Sequence, residues 1–244
     1  MKVIIASISS NSKRLRALAK DNGFDPVFIS VLKIERLDIS EELSRCLEKG
    51  AYSWALFTSA TAVSLFFNSK MLVKSLKGAR FAAVGPSTAG LLHRKGIMVD
   101  FTPSEYTTEK LAEELPADPS SKVLILRSSD GSHYAETILS KRGLIPCRLN
   151  LYRASFVNRP VKLDKMQGAK IVIFGSSKEV LGLENRLTIS GIKDFKKTVL
   201  AASIGPLTRT TAMNLGYRVI NTPKAYTYNS LFEMLGELKN EGRI

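Results

Sequence analysis

The chain has 244 residues, enough for one large α/β domain or for two lobes of about 120 residues each. Hydrophobic residues make up 44% and charged residues 24%, an ordinary globular composition that excludes a disordered chain. With 36 Lys+Arg against 22 Asp+Glu the net charge is +14, which calls for an anionic partner: nucleic acid, a membrane surface or a polyanionic small molecule. Two cysteines and two histidines exclude a disulfide scaffold and a histidine-rich metal site, so no metal is expected.

The first apolar run, Val3–Ala6, reads as a strand and is too short for a signal peptide. Ser12–Asn22 then carries Leu15, Leu18 and Ala19 at helical spacing. Gly50–Ser69 has no charge and approaches the length of a membrane span. Seven Ser, Thr and Asn residues interrupt it, so a buried strand (Tyr52–Phe57), a polar turn and an amphipathic helix describe it better. Arg80–Val84 and Met98–Phe101 read as further strands around a helix at Pro86–Lys95. A soluble, intracellular protein is expected.

From Lys2 the pattern repeats. KVIIASISS (Lys2–Ser10) matches KVLILRSSD (Lys122–Asp130), 120 positions on. At the same offset Gly85-Pro86 meets Gly205-Pro206, Gly96 meets Gly216, Pro103 meets Pro223, and Tyr106-Thr107 meets Tyr226-Thr227. In the middle the register slips by three, since Phe57-Thr58-Ser59 matches Phe174-Gly175-Ser176. The chain is a tandem duplication, each half an alternation of strand and helix that predicts βαβ units and a parallel sheet. Ser59, Ser87, Thr107, Ser176, Thr208 and Thr227 precede or open helices, with Pro86 and Pro206 in first turns. Gly23, Gly96, Gly143 and Gly216 fall where helices should stop. The expected fold class is α/β, with two flavodoxin-like parallel-sheet lobes and ligands at the carboxyl ends of the strands.

Five loops run from a strand through Ser, Thr or Gly into a helix: FTSAT (57–61), VGPST (84–88), LRSSDGS (126–132), FGSSK (174–178) and IGPLT (204–208). Each offers backbone N–H groups and hydroxyls to a carboxylate or phosphate, although any one alone is an ordinary helix cap. Together they point to an extended anion-binding cleft between lobes. Nucleotide-binding and nucleophile-elbow motifs are absent. The basic clusters, such as Lys13-Arg14-Arg16, His93-Arg94-Lys95 and Lys193–Lys197, lie on helices without aromatic stacking platforms, so no nucleic-acid partner is expected. His133 reads as an exposed loop residue and His93 as a cation near a helix end. Cys46, on a helix, and Cys147, in a buried strand, read as inert packing residues. Trp54 and Phe57 read as core.

FTSATAV, VGPSTAGLL, PSEYTTEKL, and LYRA followed by IGPLT and AYTYNSL, in that order and spacing, resemble uroporphyrinogen-III synthases over almost the whole chain. The resemblance implies lobes that do not coincide with the repeats: residues 1–31 plus 157–244, and residues 38–150. Two hinge strands, 32–37 and 151–156, would join them. It implies a cytoplasmic, monomeric lyase that needs no cofactor. Its substrate would be hydroxymethylbilane, a linear chain with eight carboxylates, supplied by an upstream deaminase in possible transient contact. The enzyme would remove the terminal hydroxyl, invert ring D and close uroporphyrinogen III. It would do so chiefly by positioning. Tyr152 matches the tyrosine of the family's post-linker strand and would hydrogen-bond the departing hydroxyl, its alternative role being a hinge packing aromatic. Thr58, Ser59, Ser87, Thr88, Ser176, Ser177 and Thr208 match hydroxyl positions that would bind acetate or propionate groups. Arg127 and Gly131 match an Arg…Gly loop in which the guanidinium would grip a carboxylate. Ser7, Gly175 and Leu207 depart from the family, where a basic residue, a Ser or Thr, and a second Thr are usual. The alternative function is a non-catalytic two-lobed binder of a tetrapyrrole or other polyanion.

Overall fold

A computed structural model describes residues 1–48 and 50–244. Nine strands are present among them: β1 (Lys2–Ile8), β2 (Asp25–Arg36), β3 (Trp54–Phe57), β4 (Arg80–Ala83), β5 (Lys122–Ser128), β6 (Ile145–Phe156), β7 (Ile171–Phe174), β8 (Leu200–Ser203) and β9 (Arg218–Val219). The short ones are the continuous apolar runs that strands covered by helices on both faces require. Trp54–Phe57 and Ile171–Phe174 are buried at every position.

The chain divides into two compact units, Met1–Ile34 with Ser155–Ile244, and Glu35–Ala154, the divisions falling inside β2 and β6. In the first unit the strands pair in parallel in the order β2-β1-β7-β8-β9. The second has β6-β5-β3-β4, also parallel. A single bridge from Ala82 to Phe101 extends it beyond β4. The first follows the 2-1-3-4-5 order of flavodoxin-like sheets; counted from the Phe101 bridge the second reads 3-2-1-4-5 in chain order, a circular permutation of it. In each the strand order reverses at one point and leaves a crevice outside the carboxyl ends there. That point lies between β1 and β7 in one unit and between β5 and β3 in the other. Each unit has its own core. Val3, Ile5, Leu15, Ile171, Ile173, Leu231 and Phe232 pack together in the first, and Trp54, Leu56, Leu111, Val123, Ile125 and Leu139 in the second.

Helix punctuation follows the local chemistry. Ser59, Thr107, Ser176 and Thr227 are N-caps whose hydroxyls accept N–H bonds from Ala62, Lys110, Glu179 and Ser230. Gly85 and Gly205 hold the cap positions ahead of Pro86 and Pro206. Gly23, Gly96, Gly143 and Gly216 all have φ between +74° and +88°, the left-handed conformation that ends a helix. Among the described residues no helix is long and apolar enough to cross a membrane.

Two expectations need correction. Met98–Phe101 does not form a strand. The Asp100 carboxylate accepts the Phe81 N–H at 2.7 Å, taking a donor that a ladder would have used, and only Phe101 is left to bridge. Cys46 and Cys147 are not separate packing residues but a disulfide, 101 positions apart in sequence. The helix Ser40–Glu48 lays Cys46 against β6, and both side chains are buried. Closing a loop of that length generally contributes about 2–4 kcal/mol, so reductant, or Cys46→Ala with Cys147→Ala, is expected to lower the melting temperature by on the order of 10 °C. An unchanged melt under reductant would show that the thiols are unpaired in solution.

Candidate active site

In the second unit the crevice between β3 and β5 gathers Thr58, Ser59, Arg127, Gly131 and Tyr152. β3 ends at Phe57, so Thr58 and Ser59 emerge at its carboxyl end, where the Ser59 hydroxyl caps the following helix. A register shift beside Arg127 brings Ser128 opposite Tyr152 on β6. The Tyr152 and Ser59 hydroxyls are hydrogen-bonded at 2.9 Å. Tyr152 is only 8% exposed. Burial pushes its phenol up, and the Ser59 and Thr61 hydroxyls only partly oppose that. The group therefore stays protonated at neutral pH and is a proton donor rather than a base.

Arg127 is buried under the loop that follows β5. It is 4% exposed, with Nη1 3.5 Å from Glu136, and its guanidinium lies flat under Gly131. A Cβ on Gly131 would overlap Nη2 outright, so a side chain there would require the guanidinium to move. Burial pulls the Arg127 pKa down, Glu136 holds it up, and the like charge of Arg148 opposes it. Arg127 is thus the floor of the 128–133 loop.

Arg148, which the sequence did not single out, shapes that loop. From β6 its Nε donates to Asn150 Oδ1 (2.7 Å) and Nη1 to Glu136 (3.1 Å) and the Ser132 carbonyl (3.3 Å). Nη2 donates to the carbonyls of Ser128, Ser129 and Gly131 at 3.0–3.3 Å. The loop is wound with its carbonyls inward on one guanidinium. Asp130 then accepts the Ala154 N–H at 2.8 Å and ties it to the end of β6. His133 is exposed beside it. Ser87 and Thr88 lie past β4 in the helix Pro86–Arg94, Ser87 exposed and Thr88 buried.

The first unit has its own group at the β1/β7 crevice. Glu179, 5% exposed, accepts from the Ser7 hydroxyl (2.5 Å), the Gly175 N–H (2.6 Å) and the Tyr228 hydroxyl (3.3 Å). Ser176 caps the same helix, Thr211 donates to Ser177 at 2.8 Å, and Thr208 is buried one strand over. Leu207 beside it is 75% exposed.

Two of the family departures are one feature. A Cβ on Gly175 would overlap the Tyr228 oxygen and stand 2.7 Å from its Cζ. Tyr228 occupies the place of a side chain at 175, while fully buried Ser7 is small enough to bond Glu179 beneath it. Gly175→Ser is expected to cost about 1–3 kcal/mol through overpacking. Adding Tyr228→Phe should recover part of that loss, and strictly additive effects in a denaturant-melt cycle would refute the coupling.

Burial pushes the Glu179 carboxyl up from its ordinary 4.5, with its hydrogen bonds only partly opposing. The folded state then holds the proton more tightly than the unfolded chain. The stability this contributes is complete below 4.5 and is lost as pH rises through the raised value. Glu179→Gln keeps the shape of the protonated acid, so its melting temperature should fall less than wild type as pH rises above 4.5. Parallel curves would remove Glu179 as the cause.

Among the described residues no group of three His, Cys, Asp or Glu side chains is placed to hold a metal ion. Two parallel-stranded units, each with a phenol and a helix-capping hydroxyl at its reversal point, define an α/β protein of doubly wound type. A family model described as uroporphyrinogen-III synthase HemD matches residues 13–233. The chain belongs to the uroporphyrinogen-III synthase family. It is 26% identical to the porphyrin biosynthesis protein HemD of Ruminiclostridium josui, over 97% of this chain and 48% of that protein. The chain thus spans about half the length of that relative. The crystal structure of uroporphyrinogen-III synthetase from Helicobacter pylori 26695 shares the fold, with a TM-score of 0.63 at 18% identity over 98% of this chain and 100% of that one. A mutant uroporphyrinogen III synthase from Thermus thermophilus does so at 0.59, with 18% identity and 98% of each chain covered.

Proposed function

We propose that the chain is a uroporphyrinogen-III synthase, a cyclising lyase that converts hydroxymethylbilane to uroporphyrinogen III. The observation that carries this reading beyond family membership is Tyr152: a buried phenol held in its protonated form and oriented by Ser59 at a sheet's reversal point. The substrate's terminal hydroxymethyl group is a poor leaving group until its oxygen receives a proton or a strong hydrogen bond, and Tyr152 supplies one. The hydroxyl leaves as water, and ring D attacks the resulting carbon through its substituted position. Opening of the spiro intermediate and reclosure give the inverted isomer. Because the bilane closes unaided to the type I isomer, the protein's contribution is to hold the chain in the geometry that leads to type III.

The hydroxyls of Thr58, Ser59, Ser87, Thr88, Ser176, Ser177 and Thr208 and the adjoining backbone N–H groups bind the carboxylates in this reading. The +14 charge favours so acidic a substrate. Arg127 and Gly131 act through the loop they support. The protein works as a cytoplasmic monomer fed by a deaminase, without nucleic acid, membrane or cofactor. The test generates hydroxymethylbilane with that deaminase, adds this protein in metal-free buffer, oxidises the products and separates the isomers. A shift from type I to type III is the expected result. Unchanged type I product from folded protein would overturn the assignment.

A further inference from the structure

The first unit has a half-open cavity of about 540 Å³ whose lining includes Arg159, Lys162, Lys165 and Arg186 and no carboxylate. Ser9, Ser12 and Ser30 complete its polar wall. It shares no residue with the Ser7–Glu179–Tyr228 group, and Arg186 lies ten residues beyond Ser176, about 15 Å along the helix axis.

The cavity is preformed. Arg186 is 6% exposed and joins both of its walls, donating to the carbonyls of Ser30 on β2 (2.6 Å), Arg159 (2.9 Å) and Pro160 (2.7 Å). Ser190 accepts the Val161 N–H at 2.7 Å, and Asn185 donates to Asn158 at 2.8 Å, stitching residues 158–161 to the helix Ser177–Ile189. None of the four cations forms an ion pair among the described residues. Burial depresses the Arg186 pKa and the like charge of Arg159 depresses it further. A buried guanidinium ordinarily has an anionic partner, because its carbonyl bonds satisfy its donors without neutralising its charge. The other basic clusters of this chain lie on solvated helix faces; this one borders a half-open cavity with a buried cation in its wall.

We propose that this cavity is an oxyanion-binding site, taking a carboxylate or phosphate group between Arg159, Lys162 and Lys165 over Arg186. Two sources offer that chemistry: an acidic arm of the substrate, which rests on the function proposed above, and free inorganic phosphate, which does not.

The test titrates the full chain with inorganic phosphate, and separately with a uroporphyrin as a stable octacarboxylate, following the Arg186 Nε–H and the Ser12 and Ser30 amides by NMR. The expected result is saturable shifts at millimolar phosphate, weakened at least tenfold in Lys162→Gln with Lys165→Gln, both exposed positions. The pair Lys74→Gln with Lys77→Gln removes the same charge elsewhere and should bind as wild type. Shifts caused by uroporphyrin and reversed by phosphate assign the site to a substrate arm. Shifts with phosphate alone assign it to the free anion, and both outcomes support the proposal. No saturable shift with either probe, or equal weakening in the two double variants, would overturn it, whatever the isomer assay shows.

Discussion

Replacing Tyr152 by phenylalanine is expected to lower kcat by about 10²–10⁴-fold, the usual range for loss of a positioned proton donor. The ring stays, and with it the packing on β6. The structural loss is one hydrogen bond to Ser59, worth about 1 kcal/mol, so the melting temperature should fall by only about 2–4 °C. That separation of a large rate effect from a small stability effect distinguishes a chemical role from packing. Ser59→Ala provides the contrast. It removes the same hydrogen bond and a helix cap, at about 1 kcal/mol for the cap, but leaves the phenol in place. Its kcat should fall less than that of Tyr152→Phe. Undiminished turnover in Tyr152→Phe, read as the rate of type III formation, would make Tyr152 a packing aromatic.

Arg148→Met is expected to be the most destabilising single substitution in the candidate site, by about 3–5 kcal/mol, with a melting temperature lower by on the order of 10 °C. The variant leaves the inward carbonyls of Ser128, Ser129 and Gly131 without their donor. It also removes the guanidinium nearest Glu136, leaving Arg127 at 3.5 Å. Arg148→Lys should rescue little of this, since an ammonium cannot reach carbonyls on several sides of a planar fork at once. Hydrogen exchange at the amides of residues 128–133 should accelerate in Arg148→Met, while the core of the other unit stays protected. A variant within about 1 kcal/mol of wild type would show that the loop holds its shape without the guanidinium.

The amino-acid sequence by itself determined the duplication, the parallel α/β class, the apolar strands and the caps and glycines that bound the helices. Each of these is local. An apolar run, a hydroxyl three residues ahead of an N–H, or a glycine at positive φ acts over one turn of chain, and the pattern is visible wherever it occurs. Thr58 and Ser59 were legible as hydroxyls for a related reason, because they follow directly on a strand end that the pattern already marks, whereas Tyr152, inside the long strand β6, was picked out by the family resemblance alone. Met98–Phe101 shows the limit of that logic. Its composition suits a strand, but the Asp100 carboxylate, free to reach back 19 positions to the Phe81 N–H, took the hydrogen bond first.

What the tertiary structure alone decided depends on residues far apart in the chain. Ser7 meets Glu179 across 172 positions, Tyr228 fills the space above Gly175 from a different helix, and Cys46 finds Cys147 across 101. Arg127 lies under Gly131 beside Glu136, which also pairs with Arg148. Local pattern specifies where a strand or helix lies. Which polar side chain is buried, and against what, follows from the packing of elements brought together by the hydrophobic cores, because a charge removed from water must find its partners wherever the fold places them.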